Sequence, residues 1–200
     1  MIIRQAAYAA EKLFPGTRFF IAGADQSIFL TFDDGPHPET TPAILEMLAK
    51  HNARATFFCL GLNAEKYPLA YDSIIKGGHS VGNHSWSHPD GWFTGKKTYV
   101  ADVERASGVI GSKLFRPPYG RITPAQYLEL KKKFIIIMWT RQFADYRSGF
   151  SAGKVNTGKI RGGDILVMHD SPATFSNTLP LLEKILNQDK SFIFNGLIPA

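Results

Sequence analysis

The chain has 200 residues, 44% of them hydrophobic and 20% charged, and a formal net charge of +6. That length fits one domain (1–200) able to bury its own core, and the composition excludes a disordered or fibrous chain. The basic residues are scattered, Cys59 is the single cysteine, and no stretch reaches the length of a transmembrane helix, so no nucleic-acid partner, disulfide framework or membrane span is expected.

In chain order, residues 2–14 carry apolar positions at helical spacing and stop at Pro15-Gly16, which predicts a short N-terminal helix. The stretch Ala6–Ala10 runs straight into Glu11-Lys12 and does not make a signal peptide, so a cytoplasmic location is the default. Residues 17–27 read as an irregular lead-in and 28–32 as the first strand. Thr40-Thr41-Pro42 opens a helix with Thr41 placed to cap it. A buried strand follows at 55–60, a helix at 68–76 stopped by Gly77-Gly78, and a strand at 79–82. Residues 89–95 form a loop, 96–112 a helix, and 113–116 a strand. Thr123-Pro124 starts a helix that ends near Lys133; the lysines there suit its C-terminal dipole. Phe134 to Trp139 is a continuous apolar strand, of the kind buried on both faces of a parallel sheet. A loop over 144–162, a strand at 164–168, a helix at 175–188 and a last strand at 191–194 complete the chain.

About seven strands alternating with helices predict an α/β fold with a parallel sheet. The residues that carry chemistry all fall at the C-terminal ends of strands: Asp33, His84, Arg116, Trp139 and His169. Contributions from five strands fit a closed (β/α) barrel better than an open sheet with one switch point.

Two adjacent carboxylates, Asp33 and Asp34, close the first strand before Gly35-Pro36. Like charges this close repel unless something positive sits with them, and a metal ion resolves this. His84 and His88, four apart, can place both imidazoles on one side of a helical turn. Asp34, His84 and His88 then make three ligands suited to Zn²⁺, with Co²⁺ or Ni²⁺ as alternatives, and leave a catalytic position open. His79 lies on the strand itself and is expected to be structural.

Thr31–Pro36, His84–His88, Arg116–Gly120 and Leu166–Asp170 occur in this order, and together they resemble the successive motifs of the polysaccharide deacetylases, the NodB-homology domain of carbohydrate esterase family 4. The resemblance covers the chain from about residue 28 onward. It implies a distorted barrel with fewer than eight β/α units and a metal-dependent hydrolysis of N-acetylated sugars in a poly- or oligosaccharide. Asp33 then stands as general base, Arg116 as its charged partner, and His169 as general acid. The Tyr119 N–H faces the developing oxyanion, stiffened by Pro118, and the segment from Trp139 to Tyr146 supplies Asp145 as partner of His169. Pro118, Tyr119, Trp139, Tyr146 and Val167 are the expected substrate contacts. Three positions depart from the pattern. Gln142 stands where an Asp is common, Tyr146 where a Trp is, and Val167 where a Leu often lines the acetyl pocket. These departures keep two other readings open: the same hydrolysis on an acetyl ester or a non-sugar amide, and a non-catalytic carbohydrate-binding barrel.

Overall fold

The computed structural model describes residues 2–188 and 191–198. Its strands are β1 Thr17–Arg18, β2 Ser27–Asp33, β3 Thr56–Cys59, β4 Ser80–Asn83, β5 Leu114–Phe115, β6 Ile135–Ile137, β7 Arg141–Gln142, β8 Ile165–His169 and β9 Ile193–Asn195. Its α-helices are α1 Ile2–Leu13, α2 Thr40–Lys50, α3 Gly61–Lys66, α4 Pro68–Lys76, α5 Lys96–Ser107, α6 Pro124–Leu130 and α7 Phe175–Leu186.

The strand ladders are parallel and run β1-β6-β5-β4-β3-β2-β8-β7. β9 adds to the N-terminal half of β2, at Ser27–Phe29, and β3 to its C-terminal half, at Thr31–Asp33. The chain itself joins the two ends of this order. β6 passes through Met138, Trp139 and Thr140 into β7, so one bent segment pairs with β5 on one side and β8 on the other. An antiparallel bridge between Phe20 and Asp164 ties the residues after β1 to the start of β8. The result is the distorted, incomplete (β/α) barrel that the resemblance implies.

Side chains alternate across a strand, and the two faces of β2 show what each is for. Ile28, Leu30 and Phe32 point outward into the helical layer, where they join Ile44 and Leu48 of α2 and Leu181, Leu182 and Ile185 of α7. Phe29 points inward and joins Leu114, Ile165 and Leu197 in an apolar plug at the N-terminal end, a cluster that continues through Ile137 and Phe58 up to the level of Asp33. Fully burying a side chain of this size contributes about 1.5–3 kcal/mol. The same inward row continues through Thr31 to Asp33, both buried, at the opposite end.

Several local expectations are corrected. The lead-in over 17–27 contains β1, and the strand at 134–139 gives way to β7 only after a bend; both strands have two residues, too short for a period to be read. α3 is not signalled by the sequence, because its N-cap, Leu60, has no side chain that can cap it. The helices at 96–112 and from 123 end earlier, at Ser107 and Leu130. Thr41 does not cap α2, whose N-cap is Glu39 with no side-chain hydrogen bond. Its hydroxyl accepts from the His37 N–H and donates to Asp170 instead. In α6, by contrast, Thr123 and Gln126 form a full capping box, a feature typically worth about 1 kcal/mol.

Candidate active site

β2 delivers Asp33 to the C-terminal rim, and Arg116, just past β5, meets it there. Arg116 is 0% exposed. Its Nη1 donates to Asp33 Oδ1 at 2.7 Å and to Thr31 Oγ1 at 2.6 Å, its Nε to the Ile137 carbonyl and its Nη2 to the Met138 carbonyl. The guanidinium also lies over the Phe58 ring, 4.1 Å from its centroid. A buried charge costs several kcal/mol unless paired and hydrogen-bonded, and here the donors are directed at four acceptors. This is a fixed partner for Asp33, in contrast to an exposed ion pair.

Asp34 turns away from the strand at φ 76° and points at His84 and His88, with its Oδ1 3.5 Å and 3.3 Å from their Nε2 atoms. The three ligand atoms lie within 4.8 Å of one another. The His84 Nδ1–H donates to the Arg116 carbonyl at 2.8 Å, which fixes the tautomer with the Nε2 lone pair facing Asp34. Burial holds His84 below the ordinary imidazole range, against the pull of Asp33 and Asp34, so it favours the neutral ligand form. Burial would raise the Asp34 carboxyl, but His88, His84 and His169 bring it down to about 2. Asp34 Oδ1 is buried and has no hydrogen-bond partner. An ionised oxygen that faces the Nε2 atoms of two imidazoles is a donor set that fits a divalent cation, and Zn²⁺ is the default for one carboxylate and two imidazoles. The helical reading of the His84–His88 spacing is corrected. The segment is a loop after β4, with Ser85 at φ 71° and His88 at φ 62°. Ser85 Oγ accepts from the His88 N–H, and the Asn83 side chain accepts from the Ser85 N–H, which holds this loop in shape.

Across the cleft, the Nδ1–H of His169 donates to Asp145 Oδ1 at 2.7 Å, and its backbone N–H donates to Oδ2 at 2.9 Å. Thr178 also donates to Oδ2, and Asn177 to the Asp145 carbonyl, so α7 anchors the pair. Burial lowers the imidazole, but Asp145, with Asp33 and Asp34 behind it, lifts it to about 8. Asp170 points the other way, as strand alternation requires. Its carboxyl is buried and accepts from the Thr40 and Thr41 hydroxyls at 2.5 Å each. Burial raises it to about 6, against these two hydrogen bonds. It packs on Gly35, where a Cβ would come within 2.4 Å of Oδ2, so the turn after Asp34 has room only for glycine.

Asp33, Asp34, His84, His88 and His169 line a cleft of about 680 Å³ together with Leu60, Pro117, Tyr119, Gly120, Arg121, Trp139, Gln142 and Tyr146. Tyr119 is at φ 57° and its ring meets His88 edge-on at 4.4 Å; Tyr146 meets His169 at 5.3 Å. Pro118 and Val167 are buried and do not line the cleft, whereas the other expected site residues do, apart from the supporting Arg116 and Asp145. Trp86, among the aromatics near the site, is buried under Arg105 and against Gly61. His79 is structural, accepting from the Ala55 N–H. Leu60, Arg121 and the supporting Asn83, Thr178 and Asn177 were not anticipated, because nothing in their spacing signals a role that the fold alone assigns.

Comparison with known proteins points to one family and one fold. The polysaccharide deacetylase family model matches residues 21–134. A peptidoglycan-N-acetylglucosamine deacetylase of Bacillus cereus is 35% identical over 82% of this chain and 63% of its own length, so the chain spans somewhat less than two thirds of that relative. A chitooligosaccharide deacetylase of Azorhizobium caulinodans is 32% identical over 72% of this chain and 73% of its own. The crystal structure of the Bc1960 peptidoglycan N-acetylglucosamine deacetylase, in complex with 4-naphthalen-1-yl-N-oxidanyl-benzamide, superposes with a TM-score of 0.84 at 31% identity and covers 94% of each chain.

Proposed function

Since the chain belongs to the polysaccharide deacetylase family, we propose that it is a metal-dependent hydrolase that removes N-acetyl groups from N-acetylated sugars of a glycan of the peptidoglycan or chitin type. The observation that carries the reading is the pairing, in one cleft, of an ionised Asp34 facing the Nε2 atoms of His84 and His88 with an Asp33–Arg116 pair on one side and an Asp145–His169 pair on the other. Asp34 and the Nε2 atoms of His84 and His88 would hold the ion. When bound, it supplies Lewis acidity, polarising an amide carbonyl and acidifying water.

The protein's own groups carry the protons. Arg116 occupies Asp33 Oδ1, so Oδ2 takes the proton from the attacking water. Water oxygen bonds to the acyl carbon, and the Tyr119 N–H, aimed by its left-handed backbone, donates to the carbonyl oxygen as it gains charge. The carbon–nitrogen bond then breaks, and His169 Nε2–H protonates the departing nitrogen while Asp145 steadies the imidazolium at Nδ1. Acetate and a free amine result. In this reading Asp145 is the partner of His169, and Gln142 at the cleft wall takes no part in the proton path.

The test is acetate release from N-acetylglucosamine oligomers and from an acetyl ester, with metal-stripped protein and after Zn²⁺ is restored. Metal-dependent release from the oligomers is expected. Release from the ester alone would move the assignment to an esterase, and bound metal without release from either would sink the catalytic reading.

A further inference from the structure

His84 and His88 stand at either end of the loop after β4, with Ser85, Trp86 and Ser87 between them. Ser85 and His88 are left-handed, a conformation such residues adopt where their surroundings impose it. What imposes it can be followed through the backbone N–H groups. That of His84 donates to the Cys59 carbonyl of β3, that of Ser85 to the Asn83 side chain, and that of His88 to Ser85 Oγ. The remaining two, of Trp86 and Ser87, both donate to Oδ1 of Asp102, at 2.8 Å and 3.1 Å. The Ser87 hydroxyl donates to Oδ2 of the same carboxylate at 2.6 Å.

Asp102 belongs to α5, a helix that lends no residue to the lining of the cleft. Arg105, three residues on and so on the same helix face, lies over the buried Trp86 indole at 3.7 Å from its centroid. Asn83 in turn donates to the Val103 carbonyl and the Ser107 hydroxyl, both of α5. On the other side, the N–H groups of Gly61 and Leu62, in α3, donate to the Ser85 and Trp86 carbonyls. A Cβ on Gly61 would come within 2.6 Å of the indole, so α3 approaches as closely as glycine permits. The segment between the two imidazoles is therefore clamped by α3 and α5. Hydrogen bonds to a carboxylate are the stronger kind, and Asp102 supplies them to both backbone groups that the loop leaves unmatched.

We infer that Asp102 is a positioning residue for the metal site: by holding the Trp86 and Ser87 backbone from α5, it fixes how the His84 and His88 imidazoles converge and so sets the affinity for the ion. This rests on the metal-site reading of Asp34, His84 and His88, and it is read by binding and exchange rather than turnover.

The experiment measures the Zn²⁺ dissociation constant by chelator competition, well below the melting transition, on wild type, Asp102→Ala, Asp102→Asn and Glu104→Ala. Amide hydrogen exchange at Trp86 and Ser87 is followed in the same proteins without metal. Groups that orient metal ligands typically cost about 10–100-fold in affinity when removed, and a loss of that size with loss of both amides' protection is expected in Asp102→Ala. Alanine favours a helix interior, so α5 itself is not weakened. Asp102→Asn keeps an oxygen for the two N–H groups and should stay within about threefold of wild type. Glu104→Ala, which removes only the ion pair with Lys133 on the same helix, should leave affinity and protection unchanged. Should Asp102→Ala fail to fold, Ser87→Ala, which removes the hydroxyl contact of an exposed side chain, should weaken Zn²⁺ about threefold, and wild-type affinity there would overturn the role. Wild-type affinity in a folded Asp102→Ala overturns it as well, and so does an equal loss in Asp102→Asn or Glu104→Ala. Failure of the metal-site reading looks different: wild type itself then binds no Zn²⁺, and the role assigned to Asp102 falls with it.

Discussion

The two ends of the barrel are made by the same strands, yet their inward-facing residues differ in kind. Along β2 the inward row passes from Phe29 to Thr31 to Asp33, and along β8 from Ile165 through Val167 to His169. At the N-terminal end these rows close into an apolar plug. At the C-terminal end they open into a cleft of ionised and hydrogen-bonded groups. The backbone follows the same division. Asp34, Ser85, His88, Tyr119 and Ala144, five of the described non-glycine residues with positive φ, stand in or beside the loops of the cleft, and Asn52 lies at the other end, between α2 and β3. Such conformations cost about 1–3 kcal/mol each and persist where surrounding structure imposes them. One end therefore supplies the stability that the other end consumes in holding its side chains to a set geometry.

Four substitutions break or sharpen this contrast, in falling order of effect. At the cleft, Asp33→Asn should lower kcat by about 10³-fold while bound Zn²⁺ stays stoichiometric, and Asp34→Ala should lose the metal and activity together. Metal analysis beside turnover checks the pair; an Asp33→Asn enzyme as fast as wild type would remove Asp33 from the role of base. At the plug, Phe29→Ala should cost about 3–5 kcal/mol in urea unfolding yet leave Zn²⁺ binding unchanged below the transition. A loss of metal affinity without a loss of stability would reverse the division of labour. Between the two, Asp145→Asn should move the His169 imidazole, raised to about 8 in the native protein, back toward or below its ordinary value. NMR titration of the metal-free protein reads this directly. The sign follows from the raised folded-state pKa: the pair's contribution to stability is complete below about pH 6.5, the unfolded value, and is lost as pH rises through about 8. An unchanged titration would show that Asp145 does not hold the proton.

Much of this was legible in the chain. The alternation of apolar runs with capped helical segments gives the parallel sheet, because buried parallel strands are continuous in hydrophobicity. The strand-end carboxylates and imidazoles give the site, because strand ends in such a barrel share one rim. The shape of the connecting loops was not legible. His84 and His88 have helical spacing but converge through left-handed turns at Ser85 and His88, which tertiary contacts from Asn83 enforce and no local period reveals. Thr41 looks like a cap and is instead one of two hydroxyls that hold Asp170, 129 residues away in sequence. β7, with two residues, is defined only by its partner β8. Trp92 reads from sequence as one aromatic among several, and only its exposure separates it from the buried Trp86.

The bent segment that joins β6 to β7 has a consequence for how activity arises during folding. Arg116 is steadied by the carbonyls of Ile137 and Met138, which belong to the seam where the sheet meets itself, and it then orients Asp33, 83 residues earlier in the chain. A nascent chain that has emerged only as far as residue 134 already holds Asp33, Asp34, His84, His88 and Arg116, but not the seam that aims the guanidinium, nor His169. Pairings of this sequence separation form late, after the loop-closure cost has been met. In order of synthesis the candidate metal ligands therefore come early, and the proposed site is completed by the last third of the polypeptide.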